Sequence, residues 1–174
     1  FCFIHCSDLH IDSPFKGLAS QVPSLTERLR ESTFQAFHKI VKLALEEKVD
    51  AVLIAGDIFD GADRSLQAQL KFRRGLQELS QAGIPSFIVH GNHDPSNSWS
   101  HTLDWPEGTT IFPGNKVEHF PVTREGETLA WIYGISYPQK EVIENLALKF
   151  KKDQTQGFAV GLLHANVGQQ PGHD

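Results

Sequence analysis

A sandwich of two β-sheets flanked by helices, four layers α/β/β/α in all, is the architecture this chain predicts, and three observations predict it. Apolar strand-like runs alternate with long amphipathic segments as far as Gly91, the β-α-β-α-β order of a sheet with right-handed crossovers. Beyond Pro106 the pattern changes to short strands separated by turn signals, which reads as a second, more antiparallel sheet. No repeat, low-complexity segment or long linker interrupts the 174 residues, so a single domain with one substantial core is expected over residues 1–174.

Each element has its own warrant. Phe1 to Cys6 is short, apolar and cut off by Ser7-Asp8, the pattern of a buried strand. Asp12 to Pro23 is rich in Ser, Pro and Gly and reads as a loop over that strand's end. Ser24 and Glu27 have the spacing of a capping box. Leu25, Leu29, Phe34, Phe37, Ile40, Val41 and Leu45 then recur near helical period, predicting one long helix to about Lys48. Ala51 to Ala55 is a continuous apolar run ending in Gly56-Asp57, as in a strand buried on both faces. A second helix is expected from about Ser65 to Ala82, with Leu66, Leu70, Leu76 and Leu79 facing inward. Gly83 stops it, and Pro85 opens a strand through Phe87-Ile88-Val89. Pro95 to Pro106 reads as a polar loop carrying Trp99 and Trp105. Strands at about Thr110–Phe112, Val117–Phe120 and Leu129–Ile135 are assigned to the second sheet. A helix over about Lys140–Lys152 and a last strand, Phe158 to Leu163, complete the four layers.

Composition excludes several classes. Hydrophobic residues at 40% and charged residues at 21% are ordinary for a soluble globular protein. No apolar stretch approaches the roughly 18–20 residues that span a bilayer, and no signal-peptide pattern is present, so no membrane association is expected. The net charge of −5 argues against a basic, nucleic-acid-coating surface. It does not argue against a nucleic-acid enzyme, because bound divalent ions offset a carboxylate-rich site. Cys2 and Cys6 lie four residues apart on an extended strand, roughly 13 Å, too far for a disulfide. They read as small buried core residues, and a reducing cytoplasm follows as the expected setting.

Four short stretches carry the chemistry: Asp8-Leu9-His10, Gly56-Asp57-Ile58-Phe59-Asp60, Gly91-Asn92-His93-Asp94 and His164-Ala165-Asn166. Each follows a strand-like segment, and parallel strands bring their carboxyl ends to one sheet edge. Carboxylate oxygen, amide oxygen and imidazole nitrogen together suit hard divalent metals such as Mn²⁺. Asp8 and His10, two apart on an extended segment, are placed to point the same way into one metal. Asp57 follows Gly56, which allows close backbone approach, and its carboxylate is suited to bridging two ions. Asn92 offers a neutral oxygen and His164 a nitrogen. A two-metal centre activates water and stabilises both the attacking and leaving oxygens at phosphorus. Any one fragment is weak, since an isolated Gly-Asp is usually a turn. The signal is the ordered set.

This set resembles the calcineurin-like metallophosphoesterase superfamily, whose motif series is D-x-H, G-D-x-x-D, G-N-H-[DE], H and G-H-x-H. The resemblance runs from Asp8 to His164. By motif position it implies that Asp8 and His10 hold the first metal, Asp57 bridges, and Asn92 and His164 hold the second. His93 matches the non-ligand histidine that contacts the phosphate and protonates the leaving alkoxide. Asp60 matches the carboxylate that orients that histidine. Asp94 is read as shaping its loop. Phe3 to Phe15, with Gly56 to Asp60 and Leu163-His164, looks like the corresponding parts of bacterial DNA repair exonucleases. These are kin of the nuclease component of the SbcC–SbcD complex. That resemblance implies two divalent ions, Mn²⁺ first and Fe or Mg next, and phosphodiester hydrolysis on DNA ends. It also implies a coiled-coil ATPase partner and a homodimer. The final G-H-x-H is not matched. Gly172-His173-Asp174 begins like it but arrives too soon after His164 to follow another strand, so the catalytic domain is expected to be C-terminally incomplete, without that motif or the family's capping region.

The expectation is therefore a metal-dependent phosphodiesterase acting on DNA. A phosphatase or cyclic-nucleotide phosphodiesterase of the same fold, and a non-catalytic scaffold, stay open as alternatives. Other prominent residues are given ordinary roles. His5 and His90 are read as packed near the core, and His38, His101 and His119 as surface or structural. Lys16, Arg64, Arg73 and Arg74 are read as solvated charges, and Trp99 and Trp105 as a loop packed on its own domain.

Overall fold

The computed structural model describes residues 1–15, 23–61, 65–98, 104–152 and 157–166. Four parallel strands, β1 (Phe3–Cys6), β2 (Ala51–Ala55), β3 (Ser86–Val89) and β4 (Thr109–Ile111), form the first sheet in that order. Two helices, α1 (Pro23–Glu47) and α2 (Leu66–Gln81), make the crossovers. The second sheet holds β5 (Glu118–Arg124), β6 (Glu127–Gly134) and β7 (Phe158–Leu162). The α/β sandwich is the expected class.

β2 explains the layering. All five of its residues are buried, and alternation divides them between two cores. Val52 and Ile54 join Phe34, Phe37, Val41, Phe72, Leu76 and Leu79 under the helices. Ala51, Leu53 and Ala55 join Phe87, Phe112, Val122, Ile132 and Leu162 between the sheets. Burying a large apolar side chain stabilises by roughly 1.5–3 kcal/mol, so both cores draw on this one strand.

Several expectations change at this level. The strand at Thr109–Ile111 belongs to the first sheet, pairing parallel with β3 at Ile88↔Ile111. Its three half-buried residues carry no alternation that would reveal the sheet it joins. The helix expected over Lys140–Lys152 is a short 3₁₀ turn, Leu146–Lys149, with Asn145 capping it. The turn leads Phe150 across the outer face of the second sheet, where its ring lies against Gly161. α1 starts at Pro23, ahead of the Ser24 expected to cap it. On α2 the buried face is Ala68, Phe72, Gly75, Leu76 and Leu79, while Leu66 and Leu70 are exposed. Gly75 suits that rotation: a Cβ there would lie 2.5 Å from the Phe37 ring, so any larger residue would have to displace the ring for the helices to approach this closely. Cys2 is exposed and Cys6 half-buried, both as free thiols, and burial pushes the Cys6 thiol up to about 12.

Other features match. Gly83 follows α2 with φ of 74°, and Ser65, where the helix was expected to begin, caps it by accepting from the Ala68 N–H. Glu125 and Gly126 turn the β5–β6 hairpin with positive φ at both positions. Trp105 packs on Phe72 at 6.0 Å between ring centroids. His90 is buried and His38 exposed, while His119 stacks on Tyr133 at 4.8 Å. Arg74 faces solvent beside Glu78 as expected, whereas Arg73 is half-buried and donates to the Asp104 carbonyl. Lys16, Arg64, Trp99, His101 and His173 lie outside the described residues. No helix among the described residues is long and apolar enough to cross a membrane.

Candidate metal centre

The register of the first sheet sets Cys6 opposite Ile54, and Ala55 opposite Val89, so β1, β2 and β3 end level with one another. The segments leaving those ends carry Asp8, Asp57 and Asn92. β7 lies in the second sheet, parallel to β6, and delivers His164 from across the inter-sheet core. The site is thus assembled between two sheets, and its cavity of about 420 Å³ is lined by Asp8, His10, Asp57, Asn92, His93 and His164. His5, Ser7, Ala165 and Asn166 line it too. His5 is exposed at this edge and not packed in the core as expected, because β1 is the outermost strand of its sheet.

Two glycines permit the close approach. A Cβ on Gly56 would lie 2.5 Å from the His164 ring, and φ of 78° excludes most side chains there in any case. A Cβ on Gly91 would collide with the Asp57 carboxylate and its backbone nitrogen. Asp94, fully buried, fixes the same junction: its carboxylate accepts from the N–H groups of Asp57, Ile58 and Gly91 at 3.2, 2.9 and 3.0 Å. Burial pushes its carboxyl up to about 6, with the nearby Asp57 charge adding and the backbone donors opposing. The expected loop-shaping residue is in this place.

The Asp8–His10 segment is not extended, contrary to the geometry expected for it. Asp8 and His10 both have left-handed φ, 53° and 41°, and the backbone runs beside Gly56–Ile58 through the bonds Asp8 N–H to Gly56 O and His10 N–H to Asp57 O. As a result Asp8 and His10 fall in different clusters. Ligand atoms of Asp8, Asp57 and His164 lie within 4.8 Å of one another, and those of His10, Asp60 and His93 do likewise.

His164 shows what the first cluster needs. Its Nδ1 lies 2.8 Å from the Ala55 carbonyl, which can only accept, so Nδ1 carries hydrogen. Nε2 then faces Asn92 Oδ1 at 3.2 Å and Asp57 Oδ2 at 3.3 Å. Nε2 thus meets two oxygen acceptors, an arrangement that calls for a proton on the ring or for a cation. A proton on Nε2 satisfies it in part: burial pulls the His164 pKa down, but hydrogen bonds to Asp57 and Ala55, with the charges of Asp57 and Asp8, raise it to about 9. One nitrogen and two oxygens of this kind fit a hard divalent ion.

Asp57 is buried, which alone would raise its carboxyl. Hydrogen bonds from His164 and the His93 N–H, with the charges of both histidines, hold it below the usual carboxylate range. Asp60 serves two rings. Its Oδ1 lies 2.7 Å from His10 Nδ1 and 3.4 Å from His93 Nδ1, so the closer bond is to His10 and not to the expected His93. Burial would raise the Asp60 carboxyl, but Ser13 and His10 hydrogen bonds and the two histidine charges lower it. Ser13 and Tyr137, whose ring meets His164 edge-on at 5.7 Å, had no signal in the local motifs.

The comparisons with known proteins agree with this chemistry. A family model described as calcineurin-like phosphoesterase matches residues 2–172. The "Uncharacterized metallophosphoesterase YhaO" of Bacillus subtilis is 37% identical over 99% of this chain and 42% of its own length. The "DNA double-strand break repair protein Mre11" of Aeropyrum pernix is 34% identical over 58% of the chain and 22% of its own. The SbcD component of the nuclease SbcCD of Bacillus subtilis is 29% identical over 79% of the chain and 34% of its own. The chain spans less than half the length of these curated relatives.

Proposed function

The chain belongs to the calcineurin-like phosphoesterase family, and on that premise we propose that it is the metal-binding part of a Mn²⁺-dependent phosphodiesterase acting on DNA ends. The meeting of His164 Nε2 with Asn92 Oδ1 and Asp57 Oδ2, in a cluster shared with Asp8, supports the metal reading most directly. DNA as substrate is supported by relatives named as a DNA double-strand break repair protein and as part of a nuclease. A DNA repair role, a partner ATPase, a homodimer and a cytoplasmic location belong to the same proposal, on the motif resemblance described above.

In this reading Asp8, Asp57 and His10, through the ring nitrogen that Asp60 does not hold, would take one ion, and Asp57, Asn92 and His164 the other. When bound, the two ions supply Lewis acidity at phosphorus and lower the pKa of water. The protein's own groups do the rest. The Asp57 carboxylate, kept ionised by its histidine neighbours, stands in the cluster with Asp8 and His164 and accepts from the His93 N–H. His93 presents its ring at the cavity, half-buried, with Nδ1 toward Asp60, leaving Nε2 to donate a proton to the departing oxygen. Asp60 fixes the tautomers of His10 and His93 together, as a carboxylate does behind a metal-binding or proton-donating imidazole.

The test is a cleavage assay on the full-length protein with Mn²⁺, comparing end-bearing duplex and single-stranded DNA with a cyclic nucleotide and a phosphomonoester. DNA cleavage that falls about 10²–10⁴-fold in His93→Ala is the expected result. Activity confined to the small phosphoesters would overturn the DNA assignment, and undiminished cleavage by His93→Ala would remove that residue from the chemistry.

A further inference from the structure

The loop after β1 is held in an expensive shape. Asp8, His10 and Asp12, alternate residues and none of them glycine, all have left-handed φ, at 53°, 41° and 67°. Such conformations persist in non-glycine residues only where the surroundings over-determine them.

Asp12 is the point at which they do so. Its side chain is 4% exposed, and one carboxylate oxygen accepts from Arg30 Nη2 at 2.6 Å and Arg30 Nε at 2.8 Å. The other oxygen accepts from the Ser65 hydroxyl, the same hydroxyl that caps α2. The Asp12 N–H donates to Thr33 Oγ1 at 3.1 Å. Two positions on α1 and the N-terminus of α2 therefore close on one residue, two places beyond His10. The next residue continues the chain of contacts: the Ser13 N–H donates to the His10 carbonyl, and its side chain bonds Asp60.

A buried ion pair is a poor source of net stability, because desolvating two charges offsets most of their attraction. What this pair supplies is position. We propose that Asp12, gripped by Arg30 and Ser65, is a positioning residue that fixes the Asp8–His10 loop in the shape that presents His10 and Asp8 to metal, so that the seating of both helices governs affinity at one of the two ions. The proposal rests on the two-metal reading above.

Calorimetric Mn²⁺ titration of the full-length protein tests it, with Asp12→Asn, Arg30→Met, Arg30→Lys and Asp50→Asn compared with the parent. Asp50 is the comparator: its side chain is 7% exposed and paired with Arg124 at 3.1 Å, but it precedes β2 at the end away from the site. The parent is expected to bind two ions. Asp12→Asn and Arg30→Met should weaken one of them about 10–100-fold and leave the other unchanged, with the far-ultraviolet circular dichroism preserved. Arg30→Lys should recover part of the loss, and Asp50→Asn should keep both sites. Two undisturbed sites in Asp12→Asn and Arg30→Met would overturn the clamp while leaving the metal reading intact. A parent that binds no Mn²⁺ would overturn both. An equal loss in Asp50→Asn would reduce the effect to general destabilisation and overturn the clamp. If Asp12→Asn does not fold, Arg30→Met decides alone, since its side chain is 43% exposed and an unchanged titration there is equally fatal.

Discussion

His164 Nε2 faces the Asn92 amide oxygen, which calls for a donor, and the Asp57 carboxylate, which calls for a positive charge, and that makes it a reporter of the site. Its side chain is 15% exposed, and its pKa is raised from 6.5 to about 9 against the pull of burial. A histidine whose folded pKa is raised binds its proton more tightly in the native state. The contribution is complete below the unfolded value near 6.5 and is lost as pH climbs through about 9. The shift corresponds to something on the order of 3 kcal/mol. Chelator-treated protein should therefore be markedly less stable to urea at pH 9.5 than at pH 6.5, and His164→Gln should flatten much of that difference. Equal stability at both pH values in the parent would show that the proton on His164 is not held as described.

Among the elements, α2 best separates what pattern alone conveys from what packing decides. Its existence and its Gly83 stop follow from local chemistry and were legible in the sequence, while the Ser65 cap at its start was not singled out. Its rotation was not, because Leu66 and Leu70 are as apolar as Leu76 and Leu79, and only the approach of Phe37 to Gly75 selects the buried face. The consequence is measurable: Phe72→Ala should cost about 3–5 kcal/mol in denaturant unfolding, whereas Leu66→Ala should lie within about 0.5 kcal/mol of the parent. A large loss in Leu66→Ala would place the helix in the other rotation. The same limit applies elsewhere. Strand-end motifs were legible because a glycine and a polar residue closing an apolar run is a local event. Which sheet takes Thr109–Ile111 depends on pairing with Ser86–Ile88, and the turn at Leu146–Lys149 depends on the surface that Phe150 covers. The left-handed Asp8 and His10 were hidden for a further reason: neither is a glycine, so nothing in their identity announces the conformation.

At the scale of the molecule, the site joins two sheets that also meet through the apolar layer of Leu53, Phe87, Phe112, Val122, Ile132 and Leu162. Asp8, Asp57 and Asn92 leave the first sheet, and His164 leaves the second. An ion bound to Asp57, Asn92 and His164 is therefore a strap across the sandwich, and its binding free energy adds to the stability of the whole fold. Saturation at a hundred times the dissociation constant adds about 2.7 kcal/mol per site. For a domain of this size that raises Tm by roughly 2–4 °C per kcal/mol, hence by about 5–11 °C per site. Thermal melts across a Mn²⁺ series should show this rise and its reversal by chelator. The strap makes a sharper demand than simple ligand binding does. His164→Ala should abolish the part of the shift owed to the second ion, while Ile132→Ala, which opens a cavity between the sheets, should lower Tm at every Mn²⁺ concentration and still respond to the metal. If His164→Ala retained the full shift, the second sheet would contribute nothing to the ion, and the two sheets would be held without it, by their apolar layer and by polar contacts such as the Asp50–Arg124 pair.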